Sequence, residues 1–364
     1  MLTLRKFSFR SFDWTLLISV LLLMAMGIAA IYSVDLSRGE GLLFFKKQLI
    51  ALSIGMALLL VASVTQYTFF RSYAKLFYLL AVLLLIAVLL FGNSIRGTKG
   101  WFGFGGFSFQ PVEAAKAGVI FILAYVVYHF GRRFERPLFF FGTAVMTLFV
   151  MALVMFQPDL GSAMLLGAVW LGIMLLVRAR KRYLIGLVGV GVLVSVLGWF
   201  FFLQDYQKAR IRTFIHPEQY AWTAGYNTIQ AKIAVGAGQW VGRGLARGSQ
   251  SQLRFLPEAQ TDFIFSVIAE ELGFVGVVAL VTLYGIMLWR LVIIMQSATD
   301  DFVAATVGGI TVLFFVQFLV NVGANIGLVP ITGVTLPFVS YGGSSLIVNL
   351  FLVGVAEAMV GKRY

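Results

Sequence analysis

Long apolar runs, separated by short polar segments, dominate the chain. Roughly 20 apolar residues in helical conformation cross the hydrocarbon of a bilayer. Ten runs approach that length, at approximately 14–34, 48–65, 76–92, 111–130, 138–156, 160–177, 183–203, 263–295, 302–325 and 344–360. Because unpaired backbone groups are prohibitively costly in hydrocarbon, the pattern predicts an all-α integral membrane protein with ten transmembrane helices. We treat residues 1–364 as a single membrane domain.

The connection between the seventh and eighth runs, residues 204–262, is much longer than the others. Apolar side chains in its stretch GYNTIQAKIAVGAG recur at helical spacing: Tyr226, Ile229, Ile233 and Ala234. Lys232 lies elsewhere around the turn, so the pattern predicts a short amphipathic helix lying on the bilayer surface.

Lysine and arginine clusters in the short connections indicate the orientation of the chain, because such connections remain in the cytoplasm. The clusters fall in alternate connections, at 132–136 and 178–182 among others, and on the same side as the basic residues of both termini. Both termini are therefore expected in the cytoplasm. The long 204–262 loop is expected outside, together with Glu258 and Asp262, which lie four residues apart.

The composition limits which partners, metals and cofactors the chain is expected to bind. Hydrophobic residues make up 60% of the chain and charged residues 12%, and the net charge of +13 suggests anionic partners: lipid head groups or a phosphorylated substrate. Part of this charge also sets topology. With no cysteine and two histidines, a histidine-rich metal site is excluded and a structural zinc site is not expected. The absence of a nucleotide-binding fingerprint argues against a nucleotide cofactor, and no nucleic-acid partner is expected.

Ionisable residues inside membrane spans are costly and point to function. Glu113 and Lys116, three residues apart, can pair on one helix face. Asp159 occupies a very short turn, where it is either a functional carboxylate or the N-cap of the following helix. We interpret Glu270 and Glu271 as polar contacts between helices, about 12–14 Å deeper than Asp262 if their helix is continuous.

Two uncharged outer connections are unusually apolar. The stretch GWFGFGGFSFQ, residues 100–110, is expected to form an interfacial or re-entrant loop. Residues 326–345 contain two prolines and four glycines and are expected to be buried. Packing against neighbouring spans is the simpler explanation for both.

Ordered motifs throughout the chain resemble the SEDS family (shape, elongation, division and sporulation). They are SFQPVEAAK, QPDLGSAML, GYNTIQAKIAVGAG, GSQSQLRFLPEAQTDFIFSVIAEELG and PFVSYGGSS. The short tails, the RRFERP segment and SQSQL are more similar to the elongation members than to the division members. One departure is Gln260, where the family usually has histidine, so a direct proton role at that position is in doubt.

The resemblance implies a ten-span peptidoglycan glycosyltransferase of the bacterial cytoplasmic membrane. It would join lipid II to a growing lipid-linked glycan by an inverting single displacement and release undecaprenyl pyrophosphate. Asp262 is the candidate general base, since a sugar hydroxyl is a poor nucleophile. Glu258 is near enough in sequence to approach the same substrate.

The resemblance also implies cationic stabilisation of the departing pyrophosphate. The candidates are Lys46, Lys116, Arg210, Arg212 and Lys232. Glu113 is expected to orient Lys116, and Asp159 to shape the cavity or help to hold a divalent cation, Mg²⁺ or Mn²⁺. The expected protein partner is a class B penicillin-binding protein, a transpeptidase.

Two other functions compete with polymerisation. A flippase for lipid-linked cell-wall precursors would also have many spans and intramembrane charges. It would need a polar path through the midplane, whereas most distinctive polar residues here lie outside. A scaffold for a cell-wall synthase is compatible with either activity.

Overall fold

The computed structural model describes residues 12–39, 41–95, 97–104, 107–131, 133–186, 189, 213–220 and 225–360. Nine of the ten predicted spans correspond to helices within these residues: α1 Trp14–Arg38, α2 Leu43–Val64, α4 Ala74–Phe91, α5 Pro111–Phe130, α6 Pro137–Met155, α7 Leu160–Leu176, α10 Ile264–Gln296, α11 Asp301–Ile326 and α12 Gly343–Met359. The seventh predicted span, 183–203, lies largely outside the described residues. Seven of these helices have the length and apolarity to cross a membrane, and α7 and α12 are shorter apolar helices. The protein is therefore a multi-pass membrane protein.

Shorter elements connect the spans. Helix α3, Tyr67–Ser72, precedes α4. The long loop before α10, called the outer loop after its expected side, contains a 3-10 turn at Pro217–Tyr220, helix α8 at Tyr226–Ala237 and helix α9 at Ser249–Gln252. Helix α8 lies where the sequence predicted an amphipathic helix, and its position on the bilayer surface stays a prediction. Its small residues Ala231 and Ala234 are buried, whereas Ile233 is 45% exposed.

A small antiparallel sheet lies between α4 and α5, where the sequence suggested an interfacial or re-entrant loop. Strands β1 Asn93–Ile95, β2 Thr98–Phe104 and β3 Phe107–Phe109 pair in that order. The expectation of an almost wholly helical chain was wrong here. The strands satisfy one another's backbone groups, so this stretch needs no helix to remain hydrogen-bonded.

Helix α5 lies in the interior of the helix bundle, with α4, α7 and α11 packed against it. Most of its residues are buried, including Ile120 and Phe121. Helices α2 and α12 approach each other closely, because a Cβ on Gly354 would lie 2.4 Å from the Leu59 carbonyl oxygen. Close approach of this kind is typical of glycine at helix interfaces in membranes.

Polar contacts join the helices at the end of the bundle near the N-terminus. The Arg290 Nε donates to both carboxylate oxygens of Asp13, at 3.0 and 2.9 Å. The Asp13 backbone N–H donates to Glu357 Oε2 at 2.9 Å. These bonds connect α1, α10 and α12, and a further ion pair, Arg71 with Asp300 at 2.9 Å, joins α3 to the start of α11.

Helix α10 bends sharply at Gly273, whose φ of 66° and ψ of −163° are not helical. On α10, Ser266 and Tyr284 are 18 residues apart, yet they contact Asn325 and Phe318, which are 7 residues apart on α11. These separations correspond to roughly 27 and 10 Å of straight helix. The first part of α10, residues 264–272, therefore folds back toward the body of the helix.

The outer loop stabilises this bend by replacing the missing helical hydrogen bonds. The backbone bonds are Arg243 N to Glu270 O, Gly244 N to Glu271 O, Phe274 N to Gln239 O and Val275 N to Trp240 O, all between 2.8 and 3.1 Å. The bend follows Glu270 and Glu271, so the helix that carries them is continuous from residue 264 to residue 272. Because this part folds back, its length does not give the depth of Glu270 and Glu271 relative to Asp262.

Candidate functional site

The backbone of residues 260–262, just before α10, is held on several sides. The Asp262 carbonyl accepts from Asn325 Nδ2 at 2.9 Å and from Asn321 Nδ2 at 3.2 Å. The Thr261 carbonyl accepts from Ser340 Oγ at 2.6 Å. The Gln260 carbonyl accepts from the Tyr341 N–H at 2.8 Å. The main chain that carries Asp262 is therefore fixed by α11 and by the loop before α12.

The residues that hold this segment are themselves buried and bonded. Asn325 is completely buried, and its Oδ1 accepts from Ser266 Oγ at 2.6 Å. On α2, Gln48 donates from Nε2 to the Ser340 carbonyl at 3.2 Å and accepts from the Gly342 N–H at 3.3 Å. Three distant parts of the chain thus contribute to one hydrogen-bonded frame.

Asp262 lines a small, partly open cleft with a volume of about 10 Å³, enough for about one water molecule. The opposite walls come from the outer end of α11, including Asn321 and Ala324, and from residues 331–334 of the following loop. The carboxylate is partly exposed. A polar side chain of this type, held at a cleft by a fixed backbone, has the geometry of a proton acceptor for a bound molecule.

Glu258 and Gln260 contribute to the structure of the segment. Gln260 is buried, and its Nε2 donates to Glu258 Oε2 at 3.3 Å. Thr261 Oγ1 donates to the Glu258 carbonyl at 3.2 Å. Gln260 therefore lies among the residues that shape the turn before Asp262.

The predicted pairing of Glu113 and Lys116 is present. Lys116 Nζ donates to Glu113 Oε1 at 2.8 Å, and the two side chains are 3% and 6% exposed. Their helix α5 runs antiparallel to α11, with Ile120 against Gly309. By that register Glu113 lies near residue 316, so the pair is roughly 7 Å below the level of Asn321.

Buried polar atoms without a protein hydrogen-bond partner lie at this same level. They are Glu113 Oε2 and both amide atoms of Gln317, the residue one turn below Asn321 on α11. Buried polar groups are normally satisfied by protein or by ordered water. The polar character of the site therefore continues inward from the cleft toward the ion pair.

Asp159 is the N-cap of α7, as one of its two predicted roles required. Its Oδ1 accepts from the Ser162 N–H at 2.9 Å. Gln110 Nε2 also donates to Asp159 Oδ2 at 3.4 Å. The first turn of α7 packs against residues 331–334, which line the cleft. A Cβ on Gly161 would lie 2.5 Å from the Thr332 carbonyl oxygen. Asp159 thus adjoins the outer side of the loop whose inner side faces Asp262.

The predicted cations occupy different positions. Lys232 is exposed on α8, and its side chain lies over Gly327 at the C-terminus of α11, where a Cβ would be 2.5 Å from Nζ. Lys46 is exposed in the first turn of α2, on the opposite face from Gln48. Lys47, which the sequence did not single out, is next to Gln48 and half-buried. Arg210 and Arg212 lie outside the described residues.

The expected divalent cation stays a prediction. Within the described residues, no group of three or more Asp, Glu, His or Cys side chains could hold a metal ion. No step of the chemistry below is therefore assigned to a metal.

Glu270 and Glu271 connect α10 mainly to the outer loop. Glu270 Oε1 accepts from the Gln250 N–H at 2.8 Å and Oε2 from the Ser251 N–H at 3.1 Å. Glu271 Oε1 accepts from Ser33 Oγ of α1 and from the Ala246 N–H at 3.3 Å. The interpretation as contacts between helices holds for the bond to Ser33, whereas Glu270 holds α9.

The cleft, the clamped backbone of Asp262 and the surrounding spans define a polytopic membrane protein with a polar site near one end of the bundle. The sequence matches the cell cycle protein family of FtsW, RodA and SpoVE over residues 13–363. The chain belongs to this family, which confirms the resemblance to SEDS proteins.

Curated relatives match along nearly their whole length. Peptidoglycan glycosyltransferase MrdB of Escherichia coli K12 is 35% identical, covering 96% of this chain and 94% of the relative. A probable peptidoglycan glycosyltransferase FtsW of Thiomicrospira cyclica is 36% identical, with coverage of 96% and 92%. Stage V sporulation protein E of Bacillus subtilis is 33% identical, with coverage of 94% and 95%.

Solved structures support the same fold. A chain from a study of the structural coordination of polymerization and crosslinking by a peptidoglycan synthase complex aligns with a TM-score of 0.86 at 30% identity. The crystal structure of the rod shape determining protein RodA of Thermus thermophilus aligns with a TM-score of 0.72 at 28% identity. Each alignment covers 97% of this chain and 98% of the other.

Proposed function

We propose that this protein is a peptidoglycan glycosyltransferase that polymerises lipid II at the outer face of the bacterial cytoplasmic membrane during cell elongation. Family membership and the names of the curated relatives support the activity. The structural observation that carries it is the partly exposed carboxylate of Asp262 at a cleft, on a backbone clamped by Asn321, Asn325 and Ser340. A clamp of this kind keeps a general base in place for each turnover.

In the proposed reaction, the acceptor sugar hydroxyl attacks the anomeric carbon of the lipid-linked donor. A new glycosidic C–O bond forms, the bond between that carbon and the pyrophosphate oxygen breaks, and undecaprenyl pyrophosphate leaves with the electron pair. Asp262 takes the hydroxyl proton as attack proceeds. A single displacement of this type inverts the configuration at the anomeric carbon.

The departing pyrophosphate needs positive charge, and we propose that Lys116, Lys232 and Lys46, together with Arg210 and Arg212, supply it. Lys232 at the outer end of α11 and half-buried Lys47 on the Gln48 face of α2 are best placed among the described cations. Lys116 is already neutralised by Glu113. For Lys116 to bind phosphate, its ammonium group must either contact Glu113 and the phosphate together or leave Glu113. Glu258 and Asp159 would then shape the approach of the sugars.

We propose a ten-span topology with both termini cytoplasmic and the site outside. The basic connections support the orientation, and the apolar run 183–203 supports the tenth span. This arrangement keeps Asp262 in the plane where lipid-linked sugars diffuse.

A class B penicillin-binding protein is the proposed partner, supported by the structural relative from a synthase complex that couples polymerization with crosslinking. We propose a requirement for Mg²⁺ or Mn²⁺, which polymerisation assays with and without chelator test directly.

The central test is Asp262→Asn, which keeps the size of the side chain and removes its basicity. We expect lipid II polymerisation by purified protein, alone and with its cognate partner, to fall by about 100-fold or more, because general-base catalysis contributes on that order. Thermal stability should remain near that of the wild type. Asp301→Asn, at the other end of α11, is the matched control.

Near-normal polymerisation by Asp262→Asn would remove this residue from the role of base. The same proteoliposomes can be assayed for movement of fluorescent lipid II between leaflets. Translocation without polymerisation by the wild-type protein would favour the flippase.

A further inference from the structure

The outer-loop segment of residues 238–245 lies against the bend of α10 with several large apolar side chains facing outward. Trp240 and Val241 are 72% and 79% exposed, and Phe274 and Val275, beside them on α10, are 52% and 59% exposed. The rings of Trp240 and Phe274 pack edge to face at 5.3 Å between centroids. We call these four residues the 240/274 patch.

Three glycines allow the backbone of this segment to contact the bend directly. A Cβ on Gly238 would lie 1.8 Å from the Ala269 carbonyl oxygen, and one on Gly242 would lie 2.1 Å from that of Glu271. A Cβ on Gly273 would lie 2.2 Å from the Gly242 nitrogen. Together with the backbone bonds from Phe274 to Gln239 and from Val275 to Trp240, these contacts fix the level of the patch relative to α10.

Polar contacts between α1 and α10 indicate the depth of the 240/274 patch in the bilayer. Asp13 meets Arg290 near the start of α1, and Ser33 meets Glu271 near its end. These two positions on α1 are 20 residues apart, which is roughly 30 Å of helix and equals the thickness of the hydrocarbon layer. Glu271 and the adjacent bend therefore lie at the outer edge of the hydrocarbon.

An apolar patch at this level faces the zone where acyl chains give way to phosphates. Tryptophan is enriched there because its ring is amphipathic. Arg243 and Arg247, both exposed in the same part of the loop, supply positive charge suited to lipid phosphates. The chemistry of the patch and its neighbours matches one occupant, the outer-leaflet lipids.

We propose that the 240/274 patch is a membrane anchor, with Trp240 and Val241 inserted among outer-leaflet lipids and Arg243 at the phosphate level. The anchor holds the outer loop against the membrane surface by a contact separate from α8. It does not depend on enzymatic activity.

The absence of native cysteine allows a direct test. Val241→Cys is labelled with an environment-sensitive fluorophore, NBD, and the protein is reconstituted into nanodiscs without any partner protein. Quenching is measured with lipids that carry a doxyl group near the head of the acyl chain and, separately, with aqueous iodide. Val278→Cys, one turn below Phe274 and 45% exposed, is the lipid-facing control, and Glu135→Cys in an exposed loop is the aqueous control.

We expect the label at position 241 to be quenched by the doxyl lipids to the extent seen at position 278 and to be protected from iodide, with blue-shifted emission. Iodide quenching equal to that at position 135, without quenching by doxyl lipids, would overturn the proposal. That second outcome would indicate a patch reserved for a protein partner. Because Val241 is largely exposed, the substitution removes little packing, and folding is checked by size-exclusion chromatography.

Discussion

Backbone carbonyls, more than side chains, explain why Asp262 is where it is. Asn325 bridges two parts of the site, because its amide donates to the Asp262 carbonyl while its oxygen accepts from Ser266. Each bond is modest, but a buried group left unsatisfied costs more than the bond contributed. Asn325 is therefore a positioning residue in this fold.

Replacing Asn325 with leucine should move the base without removing it. We expect a loss of about 1–3 kcal/mol of stability, since the Asp262 carbonyl and Ser266 lose a partner. The turnover number for lipid II polymerisation should fall more than the KM changes, because the reacting geometry is lost and not the binding surface. Leu319→Ala, at a residue of the same helix that is 48% exposed, is the control. Unchanged turnover would separate this clamp from catalysis.

The ion pair between Glu113 and Lys116 calls for a paired comparison. Lys116→Met leaves a buried Glu113 carboxylate without its cation, and breaking such a pair costs about 3–5 kcal/mol. The double variant Glu113→Gln with Lys116→Met removes both charges and should be more stable than the single variant. Thermal unfolding in detergent measures this difference.

Polymerisation by the double variant then tests the proposed role of Lys116. If the lysine stabilises pyrophosphate, the folded double variant stays inactive. Wild-type turnover in that variant would show that the pair is structural only.

Several of these residues were foreseeable from the sequence, and others were not. The three-residue spacing of Glu113 and Lys116 predicted their pairing, and the position of Asp159 before an apolar run allowed its N-cap. Gln48 and Ser340 escaped notice because their side chains bond to backbone atoms 292 and 79 residues away. Side-chain to backbone contacts at such separations leave no local pattern. Asn321 is a polar residue within an apolar span, and its bond to the Asp262 carbonyl, 59 residues away, leaves no local pattern either.

At the level of elements, hydrophobic periodicity located the described spans to within a few residues, but it did not reveal the bend in α10. The stretch around Gly273 contains no proline, and its apolar pattern continues through the bend. The distortion depends on the 238–245 segment, which supplies replacement hydrogen bonds from another part of the chain. The sheet at 93–109 was missed for a related reason, because its strands pair with each other and not with a longer sheet.

Gly273→Ala should destabilise the protein strongly. Its φ and ψ fall in a region that is nearly exclusive to glycine and costs about 1–3 kcal/mol for other residues, and a Cβ would also collide with Gly242. Gly285→Ala is a matched control in the same helix, since no atom lies within 4 Å of a Cβ there. We expect a lower Tm for Gly273→Ala and an unchanged or slightly higher Tm for Gly285→Ala. Equal Tm values would contradict the role assigned to the bend.

At the scale of the whole molecule, the start of α1 and the end of α12 are joined directly, and the guanidinium of Arg290 connects α10 to the same point. Arg290 donates three hydrogen bonds to Asp13, two from Nε and one from Nη2, and the Asp13 backbone N–H in turn donates to Glu357. Helices from the beginning, the latter part and the end of the chain meet at this point. The contact closes the bundle opposite the candidate site.

Arg290→Met should therefore act at a distance from Asp262. Removing the guanidinium leaves the buried Asp13 carboxylate without its cation, and we expect a loss of about 3 kcal/mol. Arg290→Lys should recover only part of it, because an ammonium does not reproduce the forked contact. Thermal unfolding of the three proteins measures this order. A lysine variant as stable as the wild type would show that charge alone is sufficient.

The glycine contacts between α2 and α12 limit which parts of the protein can move during turnover. With Gly354 against the Leu59 backbone and Gly55 against Leu350, neither helix can slide or rotate without a steric clash. These two helices form a fixed base, and any motion during turnover must be taken up elsewhere, above all by the outer loop and the short folded-back part of α10. Spin labels on α2 and α12 should keep one separation through the reaction cycle, while a label on α8 moves relative to both.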